Sequence, residues 1–240
     1  EHQGVTLSNK ASSTIRDLFP AENKTRINSQ SSSSQLLKYM AKKQIDELGG
    51  SDPILEARLK SYDLAAKLQT AIPDVANIES EPHYIKRLYG LGQKPTNEFA
   101  RSCILSRRLL EKGVRFVQLY SGGPLGGKPR TSWDGHELMI PNHEREAARI
   151  DKPVAALIKD LKMRGMLEDT LITFTTEFGR TPFTESAPND LGHGRDHNNA
   201  AFCVWAAGAG LRPGMSYGST DEIGYAVHDK PVSWHDFHAT

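Results

Sequence analysis

The sequence predicts an α/β protein whose mainly parallel sheet is flanked by helices, on three observations. Apolar residues recur at helical spacing in several long stretches, short apolar runs of strand length stand at 114–120, 171–176 and 202–207, and the two patterns alternate. Helix then strand, repeated, is how helical crossovers join parallel strands. The expected organisation is one domain over residues 1–240, with a loop and helical part at 1–113 and an α/β part at 114–240.

Residues 1–35 are polar and rich in Ser, ending in Ser31, Ser32, Ser33 and Ser34, with Ile15, Leu18 and Phe19 as a small apolar cluster. They read as loop lying on a surface that another segment covers. From Gln35 to Leu48 the positions Leu36, Leu37, Met40, Ile45 and Leu48 fit a helical period, and Gly49-Gly50 stops it. A second helix opens with Ser51 and Asp52 as cap candidates and Pro53 in the first turn, carries Ile54, Leu55, Leu59, Tyr62, Leu64, Ala65 and Leu68, and should end near Ile72-Pro73.

Pro82, Gly90, Gly92 and Pro95 break the following stretch. Asn97 to Lys112 then carries Phe99, Cys103, Ile104, Leu105, Leu109 and Leu110, an amphipathic helix closed by Gly113. Val114, Phe116, Val117, Leu119 and Tyr120 form the first expected buried strand. After a Gly and Pro-rich loop at 121–130 and the segment Trp133-Asp134-Gly135-His136, a long helix presents Ile150, Val154, Leu157, Ile158 and Leu161 and ends at Gly165. The runs at 171–176 and 202–207 are the second and third expected buried strands, each followed by a Gly-containing turn.

The 30 Lys and Arg against 29 Asp and Glu give a net charge of +1, so bulk charge supplies no reason to expect nucleic acid or an anionic membrane surface as partner. No apolar run approaches the roughly 20 residues of a membrane-spanning helix. Cys103 and Cys203 are too few for a disulfide framework or a Cys-based zinc site; both read as small core residues, with a single bridge left open.

In an open parallel sheet the ligand site lies at the carboxyl ends of the strands. Asp134 and His136 follow the first strand, Glu177 follows the second, and His193, Asp196 and His197 precede the third. Oxygen and imidazole ligands from separate loops suit zinc or another divalent cation, such as manganese or calcium, that polarises a phosphate or sulfate ester. The metal ligands expected are Asp134, His136, Glu177, Asp196 and His197. Arg180, in Glu177-Phe178-Gly179-Arg180-Thr181-Pro182, reads two ways: its planar fork is presented to an anionic substrate oxygen, or it pairs with Glu177 or Asp196 to tie loops together. Arg195 reads the same two ways, and His193 is a further substrate-binding candidate. His235 and His238 are explained by a helix start with Asp236 near its first turn, and Thr175, Thr176 and Thr181 are structural.

Taken together, Trp133-Asp134-x-His136, Met166-Leu167-Glu168-Asp169-Thr170-Leu171, the 177–182 turn, Gly194-Arg195-Asp196-His197, Gly218-x-Thr220-Asp221-Glu222-x-Gly224 and His235-Asp236-x-His238-Ala239-Thr240 resemble a bacterial family known as domain of unknown function 1501. That family is considered sulfatase-like within the alkaline phosphatase superfamily, and the resemblance covers essentially the whole chain. It implies a metal site at a sheet edge, with Asp134 and His136 as a middle pair, Glu177 on the carboxylate turn, and His197, with Asp196, as late ligands. The superfamily turn reads Asp-His-Gly where this chain has Glu177-Phe178-Gly179, which points to one metal rather than two. The resemblance further implies a nucleophile upstream of Glu1, a chain that is part of a longer protein, and export of the full-length protein.

The function so expected is metal-dependent hydrolysis, with Arg180 as catalytic residue, of a small anionic ester or of a sulfated or phosphorylated glycan. The alternative is a non-catalytic anion- or glycan-binding protein on a degenerate hydrolase scaffold. A third reading treats Asp134, His136 and Asp196 as loop-tying groups.

Overall fold

The computed structural model describes residues 26–47, 49–50, 52–122, 132–187 and 189–239. It divides into two compact units, residues 1–81 with 108–116, and residues 82–107 with 117–240.

The first unit is built on helices α1 (Arg26–Glu47) and α2 (Pro53–Ala76). Gly49 and Gly50, at φ of 94° and 91°, supply the left-handed turn between them. Asp52 caps α2, its carboxylate accepting from the amides of Ile54 and Leu55, and Pro53 opens the first turn, where a missing N–H costs nothing. α1 begins within the serine-rich stretch expected to be loop, and α2 continues past Pro73 to Ala76. The remainder of the expected loop, residues 1–25, lies outside the described residues.

The end of α2 is secured by Arg108, near the C-terminus of α4 (Asn97–Glu111). Its guanidinium donates to the carbonyl of Asp74 at 2.7 Å, the carbonyl of Asn77 at 3.1 Å and the carboxylate of Glu81 at 2.6 Å, while Val75, Ile78 and Leu109 are buried. A cation at a helix C-terminus answers the carbonyls that lack helical partners.

In the second unit α3 (His83–Tyr89) packs on α5 (Met139–Met163). Ile85, Tyr89, Ala100, Cys103, Ile104, Leu105, Ile150, Ala156, Leu157 and Leu161 form the core. Within it Asp160 accepts from the Tyr89 hydroxyl at 3.0 Å and pairs with Arg107 Nε at 3.1 Å and Arg164 Nε at 2.8 Å. Buried charge survives only when so answered. Burial, with Asp160 alongside, pushes the Tyr89 phenol above its ordinary range.

The mainly parallel sheet does not form. The described strands make three antiparallel two-stranded ribbons: β1 (Leu171–Phe174) with β4 (Trp205–Gly208), β2 (Gly179–Ala187) with β3 (Asp190–Asn198), and β5 (Ser219–Thr220) with β6 (Val227–Asp229). A parallel pair needs a crossover, usually a helix, between its strands. Here residues 175–204 form a hairpin instead, so β4 returns antiparallel to β1, and the sulfatase-like layered sheet expected from the resemblance is overturned with it.

Neither β1 nor β4 is buried. The run at 114–120 is not a strand: it has no ladder partner among the described residues, and Phe116 and Tyr120 are exposed. Most of the expected loop at 121–130 lies outside the described residues. Cys103 is buried, which raises its thiol pKa, whereas Cys203 is exposed rather than in the core; both are free.

Candidate metal centre

The β2–β3 hairpin positions the candidate site by docking on residues 134–137. The Arg195 amide donates to the Gly135 carbonyl at 2.9 Å, and Gly194 lies against the His136 backbone so closely that a Cβ there would stand 1.9 Å from the His136 carbonyl oxygen. The docked loop is held in turn by the Trp133 carbonyl accepting from His143 Nε2 at 2.9 Å and by the Trp133 indole donating to Ser121 Oγ at 3.1 Å.

Asp134 Oδ1 is the hub. It lies 2.9 Å from His136 Nε2 and 3.4 Å from His197 Nε2, and accepts from Arg180 Nη2 at 2.8 Å. The His136 and His197 rings stack at 4.9 Å, and Phe178 leans on His197 at 5.4 Å. Strand register puts Arg180 opposite His197, and the second arm of Arg180 donates to the Arg195 carbonyl at 3.1 Å and lies 3.4 Å from His136 Nε2.

Burial acts to raise the Asp134 pKa, but the hydrogen bonds from Arg180 and His197 and the charge near His136 and Arg180 outweigh it, so the carboxyl is held below its ordinary range. A carboxylate is therefore the resting form.

Asp134, His136 and His197 each offer a ligand atom within 4.8 Å of the others. Two atoms ligating one ion at about 2.0–2.1 Å stand about 2.9 Å apart at a right angle and about 3.4 Å apart at the tetrahedral angle. The two distances measured from Asp134 Oδ1 fall at these limits. The donor chemistry of two imidazoles and a carboxylate fits zinc or manganese and does not fit calcium, which takes an oxygen cage.

A second group joins His136 Nδ1, Glu185 and Asp196. Asp196 lies 4.0 Å from Nδ1, and its Oδ1 accepts from the His197 amide at 2.7 Å. The expected ligand Glu177 is exposed and enters neither group, as does His193. Arg180 pairs with Asp134 rather than with Glu177 or Asp196, and the Arg195 guanidinium donates to the Gly194 carbonyl.

Glu185 is the residue that sequence reasoning missed. Arg180 pairs with His197 and Thr184 with Arg195, so β2 spends two more residues than β3 over that interval. The irregular stretch, which includes Pro182, interrupts the regular ladder between Arg180 and Glu185, and the long Glu185 side chain reaches His136 Nδ1 from beyond it. A proline inside a strand-like run was the available signal.

The site is open. Asp134 and His197 side chains are 34% and 39% exposed, and two shallow grooves along α3 and α5, lined by Tyr84, Leu88 and Lys159 among others, include none of its residues. No described helix is long and apolar enough to cross a membrane.

Fold and site together define an α+β protein of helices and antiparallel ribbons that carries a two-histidine, one-carboxylate cluster beside an arginine. The chain belongs to the family described as protein of unknown function (DUF1501), whose profile matches residues 1–240. No curated protein and no solved structure matches it.

Proposed function

We propose that this chain holds one divalent ion, zinc or manganese, on Asp134, His136 and His197, and that the site hydrolyses a phosphate or sulfate ester. One observation supports it above the others: three ligand atoms from two segments far apart in sequence converge within 4.8 Å of one another, with a guanidinium at their edge. When bound, the ion supplies Lewis-acid polarisation of the ester.

The chain's own residues do the rest. Arg180 keeps Asp134 ionised and turns a planar donor fork toward the cluster, where it steadies the anionic group of the substrate. Asp196 fixes the backbone of His197. The exposure of the site admits the end of a sulfated or phosphorylated glycan as readily as a small ester.

The same exposure favours a second reading, non-catalytic binding of an anionic glycan, because hydrolytic sites gain most of their electrostatic strength by excluding water. The test is metal content after incubation with zinc or manganese, followed by hydrolysis of aryl phosphate and aryl sulfate esters, for wild type and Asp134→Asn. Metal with turnover that the variant loses supports hydrolysis; metal without turnover supports binding. Failure to take up either ion overturns the metal reading.

A further inference from the structure

We infer that Glu185 is a positioning residue for this centre: it accepts from His136 Nδ1 and so leaves Nε2 as the ring atom turned to the ion. The inference rests on the metal reading above and names a residue outside the expected ligand set.

The two nitrogens of His136 face unlike surroundings. Nδ1 lies 2.5 Å from Glu185 Oε2, whereas Asp196 is 4.0 Å away with its Oδ1 already engaged by the His197 amide. A carboxylate can only accept, so Nδ1 carries hydrogen. Nε2 faces the cluster instead, 3.4 Å from Arg180 Nη1. Nε2 is also 2.9 Å from Asp134 Oδ1, which His197 Nε2 approaches at 3.4 Å.

In the ion-free cluster Nε2 donates to Asp134 Oδ1 at 2.9 Å, and a cation taken up there would displace that hydrogen and leave the ring with the one on Nδ1. Without Glu185 nothing holds the Nδ1 edge of the ring, and the imidazole can turn its lone pair away from the ion. Glu185 therefore selects the ion-accepting form of the cluster. Carboxylates play this part toward metal-bound histidines elsewhere, fixing the tautomer and raising ligand basicity.

The backbone explains how an exposed glutamate comes to be there. Glu185 pairs in register with Gly194, the residue pressed against the His136 main chain, so the contact that docks the hairpin also delivers the carboxylate to the ring. The Glu185 side chain is 46% exposed, and an ion pair so open adds little to stability. Positioning, unlike a structural role, therefore predicts lost metal affinity with an unchanged melting temperature.

The test uses the full chain, with zinc alone as ligand, as wild type, Glu185→Gln and Glu185→Ala. Zinc affinity is read by calorimetry, stability by thermal melting, and the His136 tautomer by nitrogen-15 NMR of the metal-free protein. Expected are zinc binding about 10–100-fold weaker in Glu185→Ala, a smaller loss in Glu185→Gln, whose amide oxygen still accepts, and an Nδ1–H in wild type that is lost in Glu185→Ala. Equal zinc affinity in wild type and Glu185→Ala, or no Nδ1–H in wild type, overturns the inference. If wild type takes up no zinc the metal reading fails by itself, and the NMR comparison still decides whether Glu185 holds the Nδ1 hydrogen.

Discussion

Replacing Gly194 by alanine should dismantle the cluster without altering any of its ligands. The new Cβ would stand 1.9 Å from the His136 carbonyl oxygen, 2.1 Å from its carbonyl carbon and 2.7 Å from the Glu137 nitrogen, all of them backbone atoms that cannot rotate away. Reaching even 3.0 Å from that oxygen requires the His136 segment and the hairpin to part by about 1 Å. Ligand distances tolerate about 0.2 Å, so the 2.9 Å spacing of Asp134 Oδ1 and His136 Nε2 and the reach of Glu185 cannot both survive. Expected is a zinc affinity lower by at least about tenfold and, from overpacking, a stability loss of about 1–3 kcal/mol. Gly122→Ala is the control, since a Cβ there meets nothing within 4 Å. Zinc calorimetry and thermal melting on both variants decide the matter. A Gly194→Ala protein equal to the control in both would refute the docking of β3 on His136 as the device that builds the site.

Three further outcomes follow from the same geometry. Because the folded Asp134 pKa lies below the ordinary 3.8, this carboxylate's contribution is fully present above that value and is lost as pH falls through the folded pKa; Arg180→Gln should raise the Asp134 pKa in a carbon-13 carboxyl titration and move acid unfolding to higher pH, and an unmoved titration would refute the pairing. Asp160→Asn withdraws the charge that answers buried Arg107 and should cost about 3–5 kcal/mol in urea unfolding, with a loss below about 1 kcal/mol counting against the buried pair. A thiol reagent should modify Cys203 rapidly in the native protein and Cys103 only in denaturant, and equal native rates would contradict the burial of Cys103.

What the sequence showed, it showed through local chemistry. Asp52 and Pro53 start α2 as their cap and first-turn preferences require, and Ile150, Leu157 and Leu161 of α5 are buried as their spacing indicates. The serines before Leu36 read as loop because serine favours turns. Its helical cost is only a few tenths of a kcal/mol per residue, though, and a long helix absorbs it.

Strand pairing was less accessible. The apolar runs at 171–174 and 205–208 mark strands, but their relative direction depends on what residues 175–204 do between them, and a hairpin there reverses it. The same hairpin brings Asp134, His136 and His197 together, leaves Glu177 out of both ligand groups, and delivers Glu185 to His136 through the pairing of β2 with β3.

The closure of α2 by Arg108 carries a consequence for the order in which the chain becomes secure. The start of that helix is sealed by its immediate neighbour Asp52, whereas its end waits for a guanidinium that follows Asp74 by 34 positions. A nascent α2 is therefore firm at one end and frayed at the other until α4 arrives. Hydrogen exchange at its final turn should therefore follow the opening of α4 rather than that of the Asp52 cap.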